Sequence, residues 1–293
     1  MRTELIQASQ LLQKNTPEAT EQAIGLLQNT VFSFSMKVCG HRQDAEDTTQ
    51  EVLFRSLKHL GKLEDPKALA AWLYTVTRNR CHRMRRSHPE QKVKQLSLDE
   101  LIPDEEELKR LLHQESHPER AAIHAEQHQL LHQAVLRLPT PLRLVLVLHD
   151  MEELTSEEIA TILGLQTGTV RVRLHRARLA VRQEMPRLLK GLPERTATEK
   201  TTSRPRECRE LFANLSEYLD ARVEPGTCEQ MRTHIEKCPA CIAFLKDLRA
   251  AIDRCRSLSV SCDATVAERM RSLMTQEYLR LTERTPEPEP PPH

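Results

Sequence analysis

The sequence predicts an all-α protein: two small helical domains joined by a flexible linker, the second a helix-turn-helix, followed by a third helical block at the C-terminus. Three observations carry this expectation. Seven glycines and 3% aromatic residues in 293 leave little material for a sheet, and no clear alternating apolar pattern occurs. Apolar residues instead recur at helical spacing along most of the chain. Two polar segments with prolines at their ends then cut that helical material into three blocks. The expected boundaries are 1–87, a linker over 88–117, 118–189, a hinge over 190–206, 207–284, and a Pro-rich tail over 285–293.

In the first block, DAEDTTQEVLFRSLKHL separates into two faces at 100° per residue. Asp44, Asp47 and Glu51 form an acidic stripe, and Leu53, Leu57 and Leu60 lie opposite. Such a stripe suits a protein partner with a basic surface. Next comes KALAAWLYTVTRNRCHRMRR, in which Leu69, Trp72, Leu73 and Val76 supply packing. Its C-terminal end gathers Arg78, Arg80, Arg83, Arg85 and Arg86 around the whole helix circumference, as suits a projecting end that meets backbone phosphates from several sides. Trp72 reads as core rather than as a platform for unpaired bases. Cys39 and Cys81 have no ligand-spaced neighbours and read as small buried hydrophobes.

The linker carries an acidic cluster at Asp99, Glu100 and 104–107, the composition of a tether. The second block holds LTSEEIATILGLQTGTVRVRLHRARLAVRQEM. Thr155 and Glu158 have capping-box spacing and open a helix with Ile159, Ile162 and Leu163 on its apolar side, which Gly164 ends. Gln166 is a poor N-cap for the next helix, so Thr167 is expected to cap it. In that helix Val170, Leu174, Ala177 and Val181 face the core and turn Arg171, Arg173, Arg176, Arg178 and Arg182 mostly toward solvent. An apolar stripe that fixes the angle, beside guanidiniums with no acid between Arg171 and Arg182, is what a DNA-recognition helix needs.

The third block contains His234-x3-Cys238-x2-Cys241. That spacing can converge on one tetrahedral ion when the helix turns at Pro239, with an earlier thiolate, Cys208 or Cys228, as fourth ligand. A single zinc held this way would cross-link helices with too little apolar surface to stay together alone. Cys255 and Cys262 are then free thiols. Eight cysteines read as thiols and metal ligands rather than as a disulfide framework, because no export signal precedes them.

The motifs DAED-x-x-QEV, AWLYTVTRNR, LP-x-x-x-R and EEIA-x-ILGL-x-x-GTV-x-x-RLHRAR resemble, in that order, the extracytoplasmic-function sigma factors of the bacterial sigma-70 family. The resemblance implies two helical domains that bind core RNA polymerase and read promoter DNA. It implies polymerase contact at Asp44, Asp47, Gln50 and Glu51. It implies contact with the −10 element over Lys62 to Arg86, including Asp65, Arg78, Asn79, Arg80, Arg83, Arg85 and Arg86. It also implies major-groove contact at −35 through Thr169, Arg171, Arg173, Arg176 and Arg178. The third block, with EYLDARVEP before H-x3-C-x2-C, is similar to the zinc-binding anti-sigma domain. That similarity favours Cys208 over Cys228 as the ligand beside His234, Cys238 and Cys241, and implies an intramolecular contact that modulates the sigma domains.

A net charge of +1 excludes a general polyanion binder. No run of about 18 apolar residues and no signal-peptide pattern occur, so a cytoplasmic protein without a membrane contact is expected. No phosphate-binding glycine loop or nucleophile motif points to an enzyme. A helix-turn-helix regulator that works without polymerase is the alternative.

Overall fold

The computed structural model describes residues 2–14, 16–60, 65–86, 101, 124–189, 215–221 and 225–283. Among them every regular element is helical. The chain divides into two compact units, one holding residues 1–90, 161–163 and 259–293, the other 91–160 and 164–258.

The first unit is built on α1 (Thr3–Gln13), α2 (Pro17–Cys39), α3 (Arg42–Leu60), α4 (Pro66–Arg86) and α11 (Ala264–Glu283). Thr16 caps α2, its hydroxyl accepting from the Ala19 amide, and Pro17 takes the first helical position, where no donor is lost. Gly40, at φ 83°, ends α2 in the left-handed conformation that favours glycine. Ile24, Leu27, Phe32, Phe34 and Val38 of α2 are buried with Leu53, Leu57, Leu60, Leu69 and Leu73. The Phe34 and Tyr74 rings meet edge to face at 5.0 Å. Thr49, Ser56 and Thr77 lie on buried faces and donate to the carbonyls of Ala45, Val52 and Leu73, which satisfies these three hydroxyls inside the core.

α11 packs against α2 and α3. Met270, Met274 and Tyr278 are its buried side chains, and Gln28 of α2 donates to the Ala267 carbonyl at 3.0 Å. Gly25 admits the close approach, since a Cβ there would sit 3.3 Å from Cδ of Arg271. The expected single C-terminal domain over 207–284 is therefore divided: α11 belongs with the first unit, and the segment up to Leu258 with the second.

In the second unit, α5 (His124–Leu136) and α6 (Thr140–Leu146) lead into a π-helical turn over Val147–Met151. α7 (Ser156–Leu163), α8 (Thr167–Leu189), a helical turn over 215–219, α9 (Pro225–Lys237) and α10 (Pro239–Ser257) follow. The capping box at α7 forms as its spacing predicts, with Thr155 Oγ1 accepting from the Glu158 amide and Glu158 Oε2 accepting from the Thr155 amide. Gly164 closes α7 at φ 65°. Thr167 is the first helical residue of α8 rather than its cap, and the Gln166 carbonyl accepts from the Val170 amide. Val170, Leu174, Ala177 and Val181 are buried as their spacing requires.

Of the intervening linker, the structure describes only Leu101. It is fully buried, and its carbonyl accepts from Gln183 of α8. The hinge over 190–206 and the tail over 285–293 lie outside the described residues.

Candidate nucleic-acid interface and metal centre

α8 carries the basic face, and the structure sorts its arginines into two kinds. Arg171, Arg173 and Arg176 are partly exposed, as is Thr169 near the helix start. Arg171 lies 3.6 Å from Glu157 of α7, an exposed pair of the sort that exchanges readily for a stronger anion. Arg178 and Arg182 are buried, contrary to the expectation that the five arginines turn mostly toward solvent. The physical reason is a set of acids distant in sequence.

Arg178 donates Nε to Asp150 Oδ2 at 2.8 Å and Nη2 to Asp150 Oδ1 at 2.6 Å, a bidentate pair with both side chains fully enclosed. It also reaches both carboxylate oxygens of Asp220, at 2.9 and 3.0 Å. Burial alone would raise the Asp150 pKa, but the charge and hydrogen bonds of Arg178 outweigh it and hold the carboxyl down at about 2. Burial likewise works against the Arg178 charge, and Asp150 with Asp220 overcomes it and raises that pKa. Around this pair, His149 Nδ1 lies 2.9 Å from Asp150 Oδ1, and His175 Nδ1 lies 2.9 Å from the Ser216 hydroxyl. The π-helical turn carries His149 and Asp150, and it packs against α10.

One turn further along α8, Arg182 pairs with Asp247 of α10 at 3.1 Å and stacks 4.6 Å over the Phe244 ring. Cys255, on the same helix, is fully buried, and burial followed by the nearby Asp150 charge pushes its thiol pKa up, so it stays protonated. Asp150, Asp220 and Asp247 are the residues that pattern reading missed.

In the first unit, Asp44, Asp47, Gln50 and Glu51 share one side of α3, with Asp47 and Gln50 exposed and Asp44 and Glu51 partly so. Glu51 is paired within the unit, to Arg80 at 2.7 Å and Arg55 at 2.8 Å. Of the residues expected at the −10 element, Asp65 caps α4, its carboxylate accepting from the Lys67 amide. Arg78 donates twice to the Asn79 side chain, Asn79 and Arg83 are exposed, and Arg80 is partly so. Lys62 and the side chains of Arg85 and Arg86 lie outside the described residues. Trp72 is half-buried, its ring 5.4 Å from that of His59. Tyr74 is the aromatic that enters the core.

Cys39 and Cys81 are buried as expected, yet they are not independent thiols. α2 and α4 bring them together as a disulfide, with Cα atoms 6.0 Å apart.

His234, Cys238 and Cys241 converge. Their ligand atoms all lie within 4.8 Å of one another, and Cys241 Sγ is 3.4 Å from His234 Nε2. The turn responsible is short. Cys238 occupies the N-cap position of α10, with Pro239 first in the helix, so the end of α9 and the first turn of α10 face one point. One imidazole and two thiolates are three of the four donors of a structural zinc site, so the residues fit that ion. Cys228 lies within α9, partly exposed and outside this group. Cys208 lies outside the described residues.

Comparison with known proteins finds three matching segments. Residues 24–89 match the family described as sigma-70 region 2, residues 128–181 match sigma-70, region 4, and residues 208–241 match a putative zinc-finger. The chain thus carries sigma-70 regions 2 and 4 in this order, with an appended zinc-finger segment. Extracytoplasmic-function sigma factors are among the proteins it is similar to. It is 26% identical over 178 residues to the ECF RNA polymerase sigma factor SigW of Bacillus subtilis, covering 59% of this chain and 92% of that one. It is 28% identical over 183 residues to the RNA polymerase sigma-H factor of Pseudomonas aeruginosa, covering 61% and 92%. It is 31% identical over 152 residues to the ECF RNA polymerase sigma factor SigE of Mycolicibacterium smegmatis, covering 52% and 56%. No helix among the described residues is long and apolar enough to cross a membrane.

Proposed function

We propose that this chain is a non-enzymatic, cytoplasmic sigma subunit that directs core RNA polymerase to promoters, and that its C-terminal zinc segment modulates it in cis. The observation that carries the reading is the capped helix-turn-helix of α7 and α8, with Arg171, Arg173 and Arg176 reaching solvent, in a chain that carries region 2 ahead of it. Thr169 and those three arginines meet the −35 element. The exposed basic end of α4 meets the −10 element. The α3 stripe of Asp44, Asp47, Gln50 and Glu51 meets polymerase.

Modulation in cis is supported within each unit. Asp220 and Asp247 hold Arg178 and Arg182 of the recognition helix, and α11 packs on the helix that bears the acidic stripe. Arg178 is accordingly withdrawn from the proposed DNA contacts. Zinc, held by His234, Cys238, Cys241 and Cys208, fixes the start of α10 from which Phe244 and Asp247 project, and its role is structural.

The test is transcription in vitro with core polymerase, comparing the full-length protein with a truncation ending at Arg195. Promoter-dependent initiation by the truncated protein, at a level different from full length, is expected. DNA binding without any association with polymerase would instead make the chain a free-standing regulator.

Arg171 lies in the first turns of α8, where base edges are usually reached. Arg171→Ala is expected to cost about 1–3 kcal/mol on the cognate −35 sequence and to relax discrimination there. Arg176→Ala is expected to weaken all sequences alike and to flatten the salt dependence. Competition binding on cognate and scrambled duplexes across a salt series distinguishes them; equal weakening by Arg171→Ala on both would remove it from base readout.

A further inference from the structure

The Cys39–Cys81 pair has no part in the function proposed above, and its setting differs from that of the zinc thiols. The two residues are separated by 42 positions, and all of α3 lies in the loop between them. Helix packing alone therefore brings them together. Their Cα separation of 6.0 Å lies within the range a disulfide spans without moving the backbone. Cys39 is the last residue of α2, whereas Cys81 sits in the half of α4 that bears Arg78, Arg80 and Arg83. Their access to solvent also differs: Cys39 keeps 6% of its surface exposed at the helix end, and Cys81 only 1%.

We propose that Cys39 and Cys81 form a reversible thiol–disulfide couple in which Cys39 is the exchanging sulphur and Cys81 the resolving one, with a small disulfide such as glutathione disulfide as oxidant. The Cys39 thiolate attacks one sulphur of glutathione disulfide, forming a mixed disulfide and releasing one glutathione thiolate, which takes up the proton that Cys39 gave up. The Cys81 thiolate then attacks the Cys39 sulphur, forming the internal bond and releasing the second glutathione, which takes up the Cys81 proton. Two electrons pass from the protein thiols to glutathione, and reduced glutathione runs both steps backward. In a reducing compartment such a pair rests as dithiol and closes when the oxidant rises, the usual role of the few disulfides found there. The closed form ties the arginine-bearing half of α4 to the end of α2. It also removes freedom from the unfolded chain over the whole α3 loop.

The experiment equilibrates full-length protein with glutathione mixtures of rising oxidised fraction, blocks free thiols, and maps peptides by mass spectrometry. The Cys39–Cys81 linked peptide is expected to accumulate and to disappear again in reduced glutathione. Cys81→Ser should stop at a glutathione adduct on Cys39, whereas Cys39→Ser should leave Cys81 largely unmodified. The thermal midpoint of the first unit should rise on the order of 10 °C on closure, and that rise should vanish in the Cys39→Ala/Cys81→Ala double variant. Helical circular dichroism checks that each variant folds, and the wild-type peptide map decides the question should one not. Three results would overturn the proposal: free thiols at both positions in every mixture, equal adducts on the two single variants, or a bond that reduced glutathione does not reopen.

Discussion

Arg178→Ala is expected to destabilise the second unit by about 3–5 kcal/mol, the range typical of removing one partner from a buried ion pair. The loss exceeds that of one hydrogen bond because the substitution strands two carboxylates at once. Asp150 is fully enclosed and Asp220 partly so. Arg178→Lys should recover only part of the loss, since an ammonium cannot replace a fork bonded to two carboxylates.

Acid is expected to erode the same contribution. The Asp150 carboxyl is held at about 2, beneath its ordinary value, so the stability it adds is complete above the usual carboxylate range and is lost as pH falls toward about 2. Urea unfolding of wild type and of Asp150→Asn from pH 6 downward measures this directly. The gap between the two proteins should narrow on acidification. A gap that stays constant through that window would place the stabilisation in something other than the Asp150 charge. Asp220→Ala leaves the bidentate pair intact, so it should cost the unit less while loosening the segment that carries Asp220.

That network marks where sequence reading stopped. The start and end of α7 were legible because they depend on residues three or four positions apart, whereas the expected Thr167 cap of α8 is its first helical residue. The capping box of Thr155 with Glu158 and the left-handed Gly164 are local chemistry, and both form as their spacing predicts. The stripe of Val170, Leu174, Ala177 and Val181 was legible for the same reason. Arg178 and Arg182 were not, because whether an arginine on the flank of a helix meets water depends on acids 28 to 65 positions away. One signal was available: Asp150 follows the run LVLVLH, and an acid that such a run draws into the interior needs a cation beside it. The Cys39–Cys81 pairing and the grouping of α11 with α2 and α3 are likewise consequences of packing, which no spacing rule within a helix contains. The converging group of His234, Cys238 and Cys241 was legible because the three are close in sequence. The fourth donor that the proposed zinc site calls for was left open by spacing alone.

Cys238→Ser is expected to release zinc and to melt the α9–α10 turn while leaving the first unit folded. Among the described residues of that turn, burial is sparse: α9 contributes only Met231 and Ile235 to the interior, too little apolar surface to hold a short helix in place. A structural zinc contributes on the order of 10 kcal/mol to small domains of this kind, far more than two buried side chains supply. Loss of the ion should therefore free the start of α10, from which Phe244 and Asp247 grip Arg182. Zinc content per chain is expected to fall from about one to none, with faster proteolysis between α9 and α10. Cys208→Ala should behave as Cys238→Ser does, because Cys228 stands apart from the converging ligand atoms. Full zinc content in Cys208→Ala together with loss in Cys228→Ala would assign the fourth position to Cys228 and require α9 to rearrange around the ion. If the zinc turn is what restrains the recognition helix, promoter output with purified polymerase should move in the same direction for Cys238→Ser as for the truncation at Arg195. Opposite directions would separate the metal from the modulation.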